Sequence, residues 1–366
     1  MTTLSINRSW TRWVCPVGLI GLFVALCAQT WRRWPDLLID FGRELYVPWQ
    51  LAEGAVLYRD IAYFNGPLSP YFNALLFRLF GPSLLTLVVA NLAIIALISV
   101  VLYRMISARH GRLVATLICS AFMCGFAFAH LQFLGNYNFV CPYSHEMTHG
   151  IALSVFTMGL LTTENAFLTK WKIVTAGLLW GLVFLGKPEI FLALTCAVAV
   201  LFGARFVDRS VTWKKASLSC LQFLLGAATA ILFMTAFLMS HLPVTDALLN
   251  VAGAWRWLLT SEVTNQTFYK KVAGLDQPWW NMLRMLMATV SVSCVIAAAV
   301  LLDRWKVRNQ LRDVLLAAPL FACAALSGGP LLLNERSLLI VSVLVFAGFA
   351  FLFLRNWWRQ TDIAQW

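Results

Sequence analysis

Charge is what this sequence has least of. Asp, Glu, Lys and Arg make up 12% of its 366 residues, while hydrophobic residues make up 60%, and the mean hydropathy is +0.76. An ordinary soluble domain is excluded, because apolar runs recur that could each cross a hydrocarbon core of ~30 Å as a helix. The nine cysteines give no disulfide framework. Cys15, Cys27, Cys119, Cys124, Cys196, Cys220, Cys294 and Cys323 fall in apolar runs, where the thiol behaves as a small hydrophobe, and Cys141 is alone in a loop. No Asp, Glu, Lys or Arg falls deep inside an apolar run, and no internal repeat is evident. Both absences weigh against an ion-coupled carrier. The first run, Val14 to Thr30, ends without a small-x-small cleavage site and reads as a retained helix.

What is present is an all-α polytopic transmembrane bundle of about ten spans, a single domain over 1–366. The candidate spans are Val14–Trp31, Ser83–Met105, Leu113–His130, Thr148–Leu161, Ile173–Gly186, Ile190–Phe206, Ala216–Ser240, Met282–Leu302, Val314–Leu326 and Leu338–Leu354. Ten spans put both termini on one side. That side collects 17 of the 28 bases but five of the 16 acids, so it carries the whole net charge of +12. By the positive-inside rule it is cytoplasmic, which suits a multi-pass protein of a bacterial inner membrane. Topology accounts for the basicity, so no nucleic-acid partner is expected; membrane lipids are. Tryptophans such as Trp13, Trp31, Trp171 and Trp213 mark span ends as an aromatic belt. The opposite face carries three substantial loops, 32–82, 131–147 and 241–281.

The first of these loops holds the chemistry-bearing residues. Asp36, Asp40 and Glu44 are spaced so that one helix would stack them on a face. Repulsion among them would raise at least one pKa. Pro67–Phe80 reads as a surface or re-entrant helix. The stretch from Glu53 through Asn65-Gly66-Pro67-Leu68 and Tyr71 to Leu79-Phe80-Gly81, together with the earlier Asp40, resembles the first outer loop of the membrane-embedded C-type glycosyltransferases. That superfamily contains the protein O-mannosyltransferases and the aminoarabinose transferases. Gly181 to Pro188, reading GLVFLGKP, is similar to a joint between two spans in the same families. Asn334-Glu335-Arg336-Ser337-Leu338 resembles the start of a later span.

The resemblance implies transfer of a sugar from a polyprenyl-phosphate carrier to an acceptor on the outer face. Asp40 stands where a general base would deprotonate the acceptor; Glu44 and Asp60 are its companion catalytic candidates. Arg43, Arg59, Lys187 and Arg336 are the outer-face cations for the donor phosphate, and Asn65, Tyr71, Tyr137, Asn138 and Tyr143 are candidates for contacting substrate. The sharpest local motif is His145-Glu146-Met147-Thr148-His149, an H-E-x-x-H pattern that sets two histidines on one helical face. It is expected to open a helix at the outer surface with Ser144 as its N-cap. His145, Glu146 and His149 could then hold a divalent metal, the one optional cofactor these readings contain, or form a donor-binding polar cluster. Two other readings compete: a carrier of lipid-linked sugars, and a zinc protease, which lacks a deep acidic third ligand.

Overall fold

A computed structural model describes residues 10–34, 41–129, 138–163, 169–207, 212–260, 262, 266–272, 275–284 and 286–287. Asp36, Asp40, Tyr137 and Arg336 lie outside them, as do the last two expected spans and nearly all of Met282–Leu302. The chain divides into two compact units, Met1–Ser261 and Glu262–Trp366, with the boundary inside the expected loop 241–281. Among the described residues of the second unit, a short helix spans Thr267–Val272.

Among the described residues the structure is helical, with no strand beyond an isolated bridge between Leu57 and Ile61. In the first unit the helices are α1 (Trp10–Thr30), α2 (Gly42–Ala52), α3 (Leu68–Phe80), α4 (Leu84–His110), α5 (Arg112–Phe122), α6 (His145–Leu161), α7 (Lys170–Phe184), α8 (Pro188–Val207), α9 (Trp213–Met239), α10 (Val244–Val251) and α11 (Gly253–Thr260). A π-helical turn, Met123–Ala127, prolongs α5. Local chemistry sets several of these ends. Ser83 caps α4 by accepting from the Thr86 N–H at 3.1 Å. Gly81 and Gly111, at φ 86° and 84°, stop α3 and α4 in a conformation that costs glycine little.

Seven of the ten expected spans are helices here, but three are long and apolar enough to cross a membrane alone: Trp13–Thr30, Leu84–His110 and Trp213–Met239. Ten is not reached among the described residues, because the last three expected spans lie almost wholly outside them and some of the other helices are short. At ~1.5 Å per residue, the 17 residues of α6 and the 15 of α7 fall short of a ~30 Å core. These three long helices leave apolar side chains uncovered, among them Val17 and Ile20 on α1, Val89 and Leu97 on α4, and Leu232 and Phe233 on α9. Trp13, Trp31, Trp171 and Trp213 are all exposed, each at a helix end or in the turn just beyond it, as an aromatic belt requires.

The tightest packing is between α7 and α9. A Cβ on Gly177 would lie 1.9 Å from the Phe223 carbonyl oxygen, one on Gly181 2.5 Å from that of Ala227, and one on Gly226 2.1 Å from that of Val174. Glycine at these positions is what lets two backbones touch, the usual device of helix pairs in lipid. The first outer loop folds into α2 and α3, packed on one another. Arg78 ties them by donating to the carbonyls of Leu51 (3.0 Å) and Ala52 (3.3 Å) at the end of α2.

Candidate active site

The H-E-x-x-H motif opens α6, as expected, but it is buried rather than at the surface: His145 and Glu146 are at most 1% exposed and His149 7%. Ser144 occupies the N-cap position with extended backbone, yet its hydroxyl does not cap. It donates instead to Glu146 Oε2 at 2.6 Å. The cap comes from another helix. Glu44, on the first turn of α2, accepts the His145 N–H at 2.9 Å through Oε2, which serves one of the orphan donors that every helix start exposes. The same oxygen accepts from His145 Nδ1 at 2.7 Å. Its partner Oε1 accepts from Arg43 Nη2 at 2.8 Å and Nε at 3.1 Å.

On the far edge of the ring, Asn91 of α4 donates from Nδ2 to His145 Nε2 at 3.0 Å and to the Val140 carbonyl at 3.1 Å. Both ring nitrogens of His145 are thus engaged, Nδ1 by the Glu44 carboxylate and Nε2 by the Asn91 amide. Phe41, the residue after Asp40, packs its ring 5.9 Å from that of His145.

Two carboxyls thus share one dry place and are treated oppositely. Burial pulls the Glu44 carboxyl upward, but the hydrogen bond from the His145 ring and that ring's electrostatic pull, then the charge of Arg43 and the His145 backbone N–H, outweigh it and hold it below its ordinary value. Glu146 is raised, first by burial and then by the negative charge of Glu44; the hydroxyls of Ser144 and Tyr63 offset only part of this. Repulsion between acids is therefore present between Glu44 and Glu146; the expected stack with Asp36 and Asp40 lies outside the described residues. Tyr63 itself is pushed well up by burial and by Glu146.

The resemblance-bearing segments meet beside this cluster. Gly66 donates its N–H to the Gly186 carbonyl at 3.2 Å, and Leu68 donates to that of Leu185 at 3.2 Å. A Cβ at Gly66 would lie 2.0 Å from the Leu185 oxygen, so the contact demands glycine. Lys187 follows directly. Its Nζ sits 4.9 Å from the centroid of the Tyr143 ring and donates to that tyrosine's hydroxyl at 3.3 Å. Arg43 donates to the Tyr143 carbonyl at 3.2 Å and lies over Phe64, 5.1 Å from its ring centroid.

Other expected site residues are spent on structure. Asp60 is exposed, accepts from the Val56 N–H at 2.8 Å and pairs with Arg59 at 2.9 Å; those bonds draw its pKa to about 2. Neither a proton-accepting role for Asp60 nor a free phosphate cation at Arg59 fits that pairing. Asn138 pins its own turn through Cys141, and the Tyr71 hydroxyl accepts from the Leu57 N–H. Arg43 is already neutralised by Glu44.

The metal reading fares poorly on donor chemistry. Both ring nitrogens of His145 are engaged, Glu146 is hydrogen-bonded at both oxygens, and among the described residues no three His, Cys, Asp or Glu groups converge as ligands. These residues do not fit a zinc centre, so the protease reading loses its nucleophile. No protein-family model, curated protein or solved structure matches the chain.

Proposed function

We propose that this protein is a multi-pass membrane glycosyltransferase that moves a sugar from a polyprenyl-phosphate donor to an acceptor on the outer face of the inner membrane. One observation carries the reading. Segments 65–68 and 185–188, which resemble glycosyltransferase elements separately, are bonded backbone to backbone, so Lys187 stands at the edge of the buried acid–histidine cluster.

In this reading the acceptor hydroxyl loses its proton to Asp40 as its oxygen bonds to the anomeric carbon. The bond from that carbon to the phosphate oxygen breaks, and the electron pair leaves with the polyprenyl phosphate, inverting the anomeric centre. Lys187, which no described carboxylate pairs with, stabilises the departing phosphate. Glu44 and His145 act as positioning residues, since they join α2 to α6 and hold Phe41, Asp40's neighbour, against the cluster. No step passes through a metal.

The test uses purified protein in nanodiscs with a radiolabelled panel of polyprenyl-phosphate sugars. Wild type releases or transfers sugar; Asp40→Asn binds donor but does not turn over, and Lys187→Gln weakens binding of donor. Equal turnover by Asp40→Asn removes that base from the mechanism. Lipid-linked sugar crossing the bilayer without turnover makes the protein a carrier instead.

A further inference from the structure

Tyr58 is a bulky residue held at φ 70°, in the left-handed region that glycine enters at far less cost. Such backbone persists only where its surroundings over-determine it, and it is most often found where a protein works. The turn around it is tied by its own bonds. The Tyr58 N–H donates to the Ile61 carbonyl at 2.9 Å, and the Asp60 carboxylate accepts from the Val56 N–H at 2.8 Å. Glycine at 58 would serve those bonds equally well, so the reason for tyrosine lies in its side chain. The hydroxyl donates to the Asn65 carbonyl at 2.8 Å. The ring packs against two apolar clusters at once, one built on Val47, Leu51 and Ala74 of α2 and α3, the other on Leu185, Leu238 and Ala247. A Cβ on Gly253, which opens α11, would lie 3.7 Å from the ring.

The Asn65 carbonyl belongs to the same peptide unit as the Gly66 N–H, which donates to the Gly186 carbonyl at 3.2 Å. In a planar trans peptide those two groups point in opposite directions, and no described peptide bond is cis. Tyr58 thus holds the unit from one side and Gly186 from the other. The Gly186 carbonyl in turn shares its peptide unit with the Lys187 N–H. A line of hydrogen bonds therefore runs from the Tyr58 hydroxyl through the Asn65–Gly66 peptide to the Gly186–Lys187 peptide, each bond polarising the next. Burial, then the charge of Glu146, pushes the phenol well above its ordinary value of 10, so the hydroxyl keeps the proton it donates. We infer that Tyr58 is a positioning residue: its strained backbone aims a hydroxyl that sets the Asn65–Gly66 peptide against Gly186 and so fixes where Lys187 stands. That Lys187 then meets the donor's phosphate rests on the glycosyltransferase reading.

The experiment compares wild type with Tyr58→Phe, which keeps the ring and its packing and removes only the hydroxyl. Amide hydrogen exchange of the nanodisc-embedded protein is followed by mass spectrometry, and farnesyl phosphate is titrated by tryptophan fluorescence. In Tyr58→Phe the segment holding Gly66 and Leu68 exchanges about fivefold faster, as the loss of one neutral hydrogen bond requires, while amides of α7 keep their rates. Farnesyl phosphate binds severalfold more weakly. In a Lys187→Gln background the same substitution weakens binding no further, because Tyr58 acts through Lys187; a residue that served packing alone would show no such coupling. Unchanged exchange at Gly66 overturns the inference. So does unchanged affinity in Tyr58→Phe, or a full further loss of affinity in the Lys187→Gln background. If wild type does not bind farnesyl phosphate, the glycosyltransferase reading falls, and the exchange rates alone decide whether Tyr58 sets the Gly66 contact.

Discussion

Replacing Glu44 tests how the α2–α6 joint is held. Its carboxylate receives four hydrogen bonds, two from His145 at 2.7 and 2.9 Å and two from Arg43 at 2.8 and 3.1 Å. Glu44→Gln keeps one acceptor oxygen, so it serves either His145 or Arg43, and its NH2 then confronts donors on the other side. Hydrogen bonds to charged groups contribute ~1.5–3 kcal/mol each. Losing the weaker pair and stranding a charge in a buried place should cost about 3 kcal/mol, and Glu44→Ala about 3–5 kcal/mol. Arg43→Gln should cost less, because the Arg43 side chain is 30% exposed and can be rehydrated. The measurement is reversible unfolding in mixed micelles, with a double-mutant cycle against His145→Ala to isolate the coupling. A loss under ~1 kcal/mol for Glu44→Gln, or a coupling near zero, would refute the claim that this carboxylate caps α6 and orients His145.

The two carboxyls should also leave opposite marks on stability against pH. Glu44, lowered in the fold, stabilises fully above the ordinary carboxylate pKa of 4.5 and loses that contribution as pH falls toward its depressed value. Glu146, raised in the fold, stabilises most below 4.5 and loses ground as pH climbs toward its raised value. Unfolding midpoints of Glu146→Gln should therefore hold up better on the alkaline limb, while Glu44→Gln flattens the acid limb. Gly66→Ala drives a methyl into the Leu185 oxygen at 2.0 Å; it should cost ~2–4 kcal/mol and weaken donor binding through Lys187. Gly18→Ala, with open space around it, should change neither. Asp60→Asn should leave turnover within about twofold, as expected of an exposed residue tied to Arg59 and Val56; a collapse of turnover would return Asp60 to the catalytic set.

The helices were legible in the sequence because apolar length and capping are local properties. Pro67–Phe80 reads as a short helix beside the membrane, and α3 occupies Leu68–Phe80. The histidine motif was visible through spacing alone. What could not be read were its partners, since Glu44 is 101 residues from His145 and Tyr63 is 83 from Glu146. A metal looked plausible only while His145's nitrogens seemed free. One signal was there to be used: Asn91, a lone amide in the apolar run of α4, which in lipid must find a partner and finds His145. Among the described residues the span count is met only in part, with three helices long and apolar enough to cross a membrane alone. Hydropathy marks α6 and α7 as apolar without saying that the helices stop short of a bilayer's thickness.

The glycine contact of α7 with α9 has a mechanical consequence. Two helices whose backbones interlock at Gly177, Gly181 and Gly226 cannot slide past one another without carbonyl oxygens colliding with main chain. They behave as one beam, and the turn carrying Gly186 and Lys187 is fixed to its end. In the glycosyltransferase reading, an opening that admits a long lipid is then expected on the α2–α3 side, which the Gly66 and Leu68 hydrogen bonds tie to this beam. Amides of α7 and α9 should exchange slowest in the protein, and those of Gly66 and Leu68 among the first to respond to ligand.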